Sequence, residues 1–541
     1  MPIEKKSGSL WWRDGVIYQI YPRSFADSNG DGIGDLPGIT ARLDYLADLG
    51  VDAIWLSPIN PSPDIDFGYD VSDYKAVDEK YGTLADFDEL VRKAHAVKIR
   101  VILDLVLNHT SDQHPWFLQS RSSKENPYRD WYLWRENPKG KDLPPNNWQS
   151  IFGGKGWEFD SRTDQWYFHM FYKEQPDLNW RNESVRAEMM SVFRFWADRG
   201  VDGFRLDVFN EYFKDEQLRD NPRKWGIRPF DQQHHLYDAD QPEMDGVVRE
   251  IRQILDEYPE RYAVGETFMG GGDRAALYCQ EGKLHGTFDF SFLHNPWKPD
   301  RFLKSILEWE AELTQSSWPT YVLNNHDNPR SADRFHAPEN DERLKVAAGM
   351  LLTLRGTPFL YAGEEIGMRN ISVSRGEIQD PLGKHYWPFN KGRDNCRSPM
   401  QWDTTVNAGF SRATPWLKLH PRSRERNVSA QRSDPRSLFN FYKALLHIRR
   451  EYPALRKGMF LPLTYHPRLV LGYLRQNADQ TILVALNFGN RKVKLALGGE
   501  LCARRWSLLL SNKRDVVPET GNGWLQLAAN EVCILLQGGS A

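Results

Sequence analysis

Cysteine is scarce in this 541-residue chain. Only Cys279, Cys396, Cys502 and Cys533 occur, scattered and without a CxxC pair. That spacing argues against a disulfide framework or a thiolate metal site and for ordinary reduced thiols. No apolar run approaches the ~20 residues that a membrane helix needs. The first ten residues are polar and lack the apolar core of a signal peptide, so the expected compartment is the cytoplasm, with no membrane partner. Charge of either sign is not in excess: 70 Lys and Arg stand against 73 Asp and Glu, a net charge of −3. Nothing there argues for nucleic acid as a partner. Low-complexity tracts and short repeats are also missing.

Aromatic residues, by contrast, are plentiful, at 13% with 20 Trp. Composition alone leaves two readings open, a large core or rings that stack on sugars. Hydrophobic residues at 40% and charged residues at 26% fit a soluble globular protein.

From residue 16 to about 361, short apolar runs alternate with amphipathic stretches. The runs at 16–21, 52–56, 100–105, 202–206, 262–265, 287–290, 320–323 and 358–361 predict strands. Patterns such as 36–49, 84–97, 184–199, 300–313 and 342–354 predict the helices between them. Eight such units predict a parallel (β/α)₈ TIM barrel, whose site lies at the C-terminal ends of its strands. The interval after strand three is too long for a structureless loop. It predicts a small inserted domain at 109–177 over the mouth of a barrel formed by 1–108 and 178–460. An irregular excursion is expected at about 364–410. Beyond 461, short β-like runs predict a C-terminal antiparallel β-sandwich over 461–541.

Several strands end in a carboxylate. Gly203-Phe-Arg205-Leu-Asp207 is the most informative, because side chains alternate along a strand and Arg205 and Asp207 therefore share a face. Opposite charges at the end of a buried strand are costly unless a site uses them. Asp104, Glu266 in Val264-Gly-Glu266 and Asp327 in Asn325-His326-Asp327 repeat the pattern. Carboxylates converging at one barrel end point to acid–base or nucleophilic chemistry.

In order, Asp104-Leu-Val-Leu-Asn108-His109 and the three segments just quoted resemble the four motifs of the α-amylase family of glycoside hydrolases, glycoside hydrolase family 13. The subgroup is that of oligo-1,6-glucosidases, dextran glucosidases and bacterial α-glucosidases. The resemblance implies an exo-acting, retaining α-glucosidase, with Asp207 as nucleophile, Glu266 as acid/base and Asp327 as transition-state stabiliser. It implies sugar binding by Asp66, Tyr69, His109, Arg205, His326 and Arg393, with Arg393 paired to Asp66 at one end of the site. Small α-glucosides would be the substrates and sugars or alcohols the acceptors, for a monomer or homodimer. Val208 and Thr267 resemble enzymes of α-1,6 bonds, whereas the 112–117, 146–148 and 208–213 segments resemble broad α-glucosidases that also transfer glucose. A sucrose isomerase or trehalose synthase of the same fold is the alternative. A non-catalytic scaffold subunit would lack the carboxylates.

The run Asp27-Ser-Asn29-Gly-Asp31-Gly-Ile33-Gly-Asp35 sets oxygen donors at every second residue. Such spacing suits a hard cation but also a solvated acidic turn. The resemblance favours a structural Ca²⁺ or Mg²⁺ held by Asp27, Asn29, Asp31, the Ile33 carbonyl and Asp35.

Overall fold

A computed structural model describes residues 10–136, 142–267, 272–288, 290–312, 317–463, 468–518 and 523–538. Of the N-terminal segment read for a signal peptide, only Leu10 lies among them. Eight parallel strands close a barrel: β1 (Ile17–Ile20), β2 (Ala53–Leu56), β3 (Arg100–Leu105), β4 (Gly203–Leu206), β5 (Tyr262–Glu266), β6 (Gly286–Phe288), β7 (Pro319–Val322) and β8 (Thr357–Tyr361). They neighbour one another in sequence order, and β8 returns to β1 with Ile17 opposite Phe359.

Alternation along each strand decides what the barrel holds. Ile17, Ala53, Ile102, Val264, Phe288, Val322 and Phe359 form one apolar cluster inside it. Their neighbours, among them Tyr18, Ile54, Leu103, Phe204 and Ala263, belong to the larger cluster between barrel and helices. Two residues beyond the inner layer, at the C-terminal ends, stand Gln19, Trp55, Asp104 and Glu266. Arg205 is in register with Asp104 across the β3–β4 pair. The inner face thus changes from apolar to ionic within one step of the strand period.

The main outer helices follow the amphipathic pattern. α1 (Leu84–Ala96) starts with a capping box in which Thr83 and Asp86 bond each other's backbone N–H groups. α2 (Glu183–Asp198) is capped by Asn182. α3 (Met244–Asp256) and α4 (Pro299–Glu312) follow β5's neighbours around the barrel. α5 (Glu342–Thr353) is buried from Leu344 to Thr353; a Cβ on Gly349 would meet Val532 at 2.9 Å, so glycine allows the C-terminal sheet to approach. α6 (Leu438–Glu451) and α7 (Pro453–Lys457) close the barrel's base. Two expected elements differ in detail. The 36–49 pattern divides into Leu36–Thr40 and Leu43–Leu49, because Arg42 leaves helical geometry. The strand expected at 287–290 ends at Phe288, and Phe290 opens a short helix to Leu293.

After β3 the chain forms a helix (Pro115–Ser120) and a three-stranded antiparallel sheet of Trp134–Arg135, Trp157–Asp160 and Gln165–Phe168, the last central. Its cluster of Trp148, Trp157, Phe168, Met170 and Phe171 includes Val208, which seats this sheet on the end of β4. At the other end of the chain, β9 (Met459–Pro462), β10 (Val470–Gln476), β11 (Thr481–Asn487), β13 (Trp506–Ser511) and β15 (Val532–Gln537) form an antiparallel sheet. β12 (Val493–Ala496) pairs with β14 (Trp524–Leu527), and both sheets share the cluster of Val470, Leu483, Leu495, Leu525 and Leu535. Among the described residues, no helix is long and apolar enough to cross a membrane.

Candidate active site

Arg205 is the hub of the charged layer. Its Nη1 donates to Asp104 Oδ1 and to Asp207 Oδ1, both at 2.7 Å, and its Nη2 donates to Glu266 Oε2. The guanidinium is 1% exposed and lies 5.2 Å from the Trp55 ring centroid. Asp104 also accepts from Trp55 Nε1 (3.3 Å) and Tyr69 Oη (3.1 Å). One cation among three buried carboxylates cannot keep all of them ionised. Burial pushes Asp104 up to about 6, against the opposing pull of Arg205. Burial also raises Asp207 well above the usual carboxylate range; Arg205 opposes it, and Glu266 and Asp104 add to it. Asp207 and Glu266 share the Arg205 guanidinium, one on Nη1 and the other on Nη2, so a single cation serves both carboxyls.

Backbone features fix this geometry. Gly265 precedes Glu266 because a Cβ there would lie 2.3 Å from the Phe209 ring. Val208, next to Asp207, sits at φ 35° and ψ 39°, a left-handed conformation that a β-branched residue adopts only under strain.

A second arginine centre stands nearby. Arg393 Nη2 donates to Asp66 Oδ1 at 2.5 Å, its Nε to Asp380 Oδ2 at 3.0 Å, and its Nη1 reaches Asp327 Oδ1 at 3.4 Å. Arg397 holds the same Asp327 oxygen at 2.7 Å and the His326 carbonyl at 2.8 Å. Burial works against ionisation of Asp327, but the His326 ring when protonated in acid, and Arg397 and Arg393 at every pH, outweigh it and hold the carboxyl well below its usual range. Asp380 behaves alike: burial opposes, Arg393 prevails, and it falls to about 2. Asp66 stays raised by burial despite Arg393.

The histidines are neutral. Burial lowers His326 to about 3 and His109 to about 4. His326 Nδ1 lies 2.7 Å from the Gln19 amide nitrogen, which makes it the acceptor and places the ring proton on Nε2, 2.7 Å from Tyr69 Oη. His326 and Tyr69 stack with their centroids 5.4 Å apart. His109 Nε2 donates to the Tyr69 carbonyl at 3.0 Å.

These groups meet at a cavity of about 950 Å³ lined by Asp66, Tyr69, His109, Asp207, Glu266, Asp327 and Arg393. Arg205 and His326 lie beneath it, outside its lining. Phe152, Phe171, Phe290 and Phe389 supply its aromatic wall. Among the described residues no tryptophan lines it; Trp55, Trp148, Trp157, Trp180, Trp196 and Trp309 are fully buried in the core. The tryptophan content therefore belongs to the core reading, and phenylalanine and tyrosine supply the cavity's aromatic faces.

Sequence reasoning missed Asp380, Gln175 and the two phenylalanines Phe152 and Phe171. Asp380 had a signal, since Asp before Pro381 is a helix N-cap pattern, and it does cap Pro381–Tyr386. Gln175, whose amide reaches Asp66 Oδ2 at 3.3 Å and the Tyr69 carbonyl at 3.2 Å, had none.

The Asp27–Asp35 loop lies elsewhere and is knit by its own backbone. Asp27 accepts from the N–H groups of Gly30 and Gly32, Asn29 from Asp31, Asp31 from Ile33, and Asp35 from Ser28 and Gly38. Among the described residues, no group of three His, Cys, Asp or Glu side chains is gathered as a metal centre. The donor set is nevertheless all hard oxygen, the chemistry that calcium and magnesium prefer.

Residues 19–458 match the family described as alpha amylase, catalytic domain. A probable alpha-glucosidase of Rhizobium meliloti is 43% identical, over 89% of this chain and 90% of that protein. An oligo-1,6-glucosidase of Parageobacillus thermoglucosidasius is 39% identical, over 93% and 95%. The crystal structure of the alpha-glucosyl transfer enzyme XgtA superimposes with a TM-score of 0.93 at 40% identity, covering 98% of this chain and all of that one. The barrel, the strand-end carboxylates and these matches agree: the chain belongs to the α-amylase family of glycoside hydrolases.

Proposed function

We propose that the chain is an exo-acting, retaining α-glucosidase that takes short α-glucosides and passes the glucosyl unit to water or to a sugar or alcohol. The observation that carries this reading is the single guanidinium of Arg205 bonded to both Asp207 and Glu266 at the floor of the cavity. One guanidinium bonded to both carboxyls draws them together, which favours the roughly 5–5.5 Å spacing of a retaining pair over the roughly 6.5–9.5 Å of an inverting one.

In the first step an Asp207 oxygen attacks the anomeric carbon. The glycosidic C–O bond breaks, and its electron pair stays on the leaving oxygen, which takes the proton of Glu266. Ionised Glu266 then removes a proton from water or an acceptor hydroxyl. That oxygen attacks the same carbon, and Asp207 leaves as carboxylate. Asp327, kept anionic by its arginines, would hold sugar hydroxyls and balance the oxocarbenium-like charge. Pairing of Arg393 with Asp66 closes one end of the cavity and supports attack at the non-reducing terminus.

Asp207→Ala and Glu266→Gln should each lower hydrolysis of maltose and isomaltose by at least about 10³-fold with the melting temperature within a few degrees. Near-native turnover in either would overturn the assignment. Product chromatography on starch should yield glucose; internal oligosaccharides as the main product would remove the exo reading.

The Asp27–Asp35 loop completes the proposal as a structural Ca²⁺ or Mg²⁺ site, with Asp27, Asn29, Asp31, the Ile33 carbonyl and Asp35 as ligands. Its carboxylates keep lone pairs beyond those that accept from the backbone. A chelator should lower the melting temperature by several degrees, and added cation should restore it. An unchanged melt, with no metal by elemental analysis, would refute the site.

A further inference from the structure

The opposite end of the barrel holds a second, smaller cavity with a different charge pattern. It measures about 210 Å³ and lies where the N-terminal ends of β1, β2 and β3 meet α6 and α7. Among the described residues, Lys98, Arg100, Arg449, Arg450 and Arg456 line it, with Asp14 and Asp52 as the acidic members.

Both carboxylates are already engaged. Asp52 accepts from Arg450 Nη2 at 3.0 Å and from the Val16 N–H at 2.9 Å. Asp14 is held by Lys457 Nζ at 3.2 Å and Arg13 Nε at 3.3 Å. Arg100 is likewise satisfied, by Asp202 at 2.8 Å and Glu260 at 3.0 Å. The Arg450 and Lys457 contacts staple α6 and α7 to the barrel, and a structural reading accounts for all of these pairs.

Among the described residues it leaves the other three cations without a carboxylate partner. Arg449, 1% exposed, donates among the described residues to carbonyls, those of Leu352, Leu354, Leu455 and Gly356, and its buried Nε has no acceptor among them. Arg456 Nε is buried without an acceptor too, and among the described residues its guanidinium forms no ion pair. Lys98 has no side-chain partner among them either. Burial pushes Arg449 down to about 10, and the charge of Arg456 pushes the same way, although Asp52 and Asp14 oppose. Two guanidinium groups that line one small cavity, each with a buried Nε–H left unanswered, form an arrangement that an oxyanion completes. Guanidinium forks bind phosphate oxygens in pairs, and a lysine adds a point charge.

We propose that this cavity binds a phosphate group, free or carried on a small phosphate monoester. It lies at the face of the barrel away from the carboxylates, so occupancy acts on the base of the fold and not on the sugar site.

Calorimetric titration of the whole chain with inorganic phosphate and with glucose 6-phosphate, at constant ionic strength against chloride, tests this. One saturable site is expected for at least one of the two, with a higher melting temperature. Tighter binding of the free ion or of the ester identifies the source of the group. Arg456→Gln and Lys98→Gln should each weaken binding about tenfold or more, while maltose hydrolysis without added anion stays unchanged. Lys98 is exposed, so its variant carries the test if Arg456→Gln does not fold. Absence of saturable binding by both compounds, or binding of undiminished strength in the variants, overturns the proposal.

Discussion

The two arginine centres at the barrel mouth use the same residue types and reach opposite electrostatic results. Around Arg205 stand three carboxylates and one cation; around Arg393 and Arg397 stand three carboxylates and two cations. The first centre is short of positive charge, so burial raises Asp104 and Asp207 and the cluster holds a proton. In the second, arginine contacts outweigh burial at Asp327 and Asp380, which stay ionised. Asp66, at the edge of the second centre, takes one hydrogen bond from Arg393 and burial still raises it, whereas Asp380 takes two from the same guanidinium and one from the Arg393 backbone N–H and stays ionised. The ratio of cations to anions thus separates a group that exchanges protons from a group that grips, within one cavity.

The largest effect should come from removing the first hub. Arg205→Met leaves Asp104, Asp207 and Glu266 buried without their cation. Breaking one side of a buried ionic cluster costs about 3–5 kcal/mol. Urea unfolding should show that loss, together with activity near background. A stable, active Arg205→Met enzyme would dissolve the contrast between the centres. Arg393→Lys is the milder counterpart. It keeps the charge but loses the fork that spans Asp66 and Asp380, so kcat/KM should fall by about 10–100-fold, carried mainly by KM. A fall confined to kcat would place Arg393 in the chemical step instead of the grip.

Much of the first centre is legible in the sequence and less of the second, for a physical reason. Asp104, Arg205 and Glu266 lie on regular strands, with Asp207 one residue beyond β4, and there the period of two by itself assigns each side chain to a face. Asp380, Arg393 and Arg397 come from the irregular 364–410 stretch, where no period relates one residue to the next. Family resemblance points to Arg393, whereas Asp380 escapes notice although its helix-capping pattern is in plain view. Gln175 and Phe171 belong to the insert and reach the site only through tertiary packing. The strain at Val208 is equally invisible, since nothing in a valine announces a positive φ. Tryptophan content misleads in the other direction, because burial of indole in a large core and stacking on a sugar leave the same count.

The finest test of the comparison is acid stability, where the two centres should act with opposite sign. Asp380, lowered to about 2 from an unfolded value near 3.9, binds its proton more weakly when folded. Its contribution, about 2 kcal/mol, is present above pH ~4 and is lost as the pH falls from about 4 to 2. Asp104, raised to about 6, holds its proton more tightly when folded, so its ionisation weakens the fold as the pH rises from about 4 to 6. Melting curves across pH 2–7 should therefore lose part of their acid limb in Asp380→Asn and part of their decline above pH 4 in Asp104→Asn. Interchanged effects of the two variants would mean that the cation ratio does not set where the proton resides, and the division between a reacting and a gripping centre would fall.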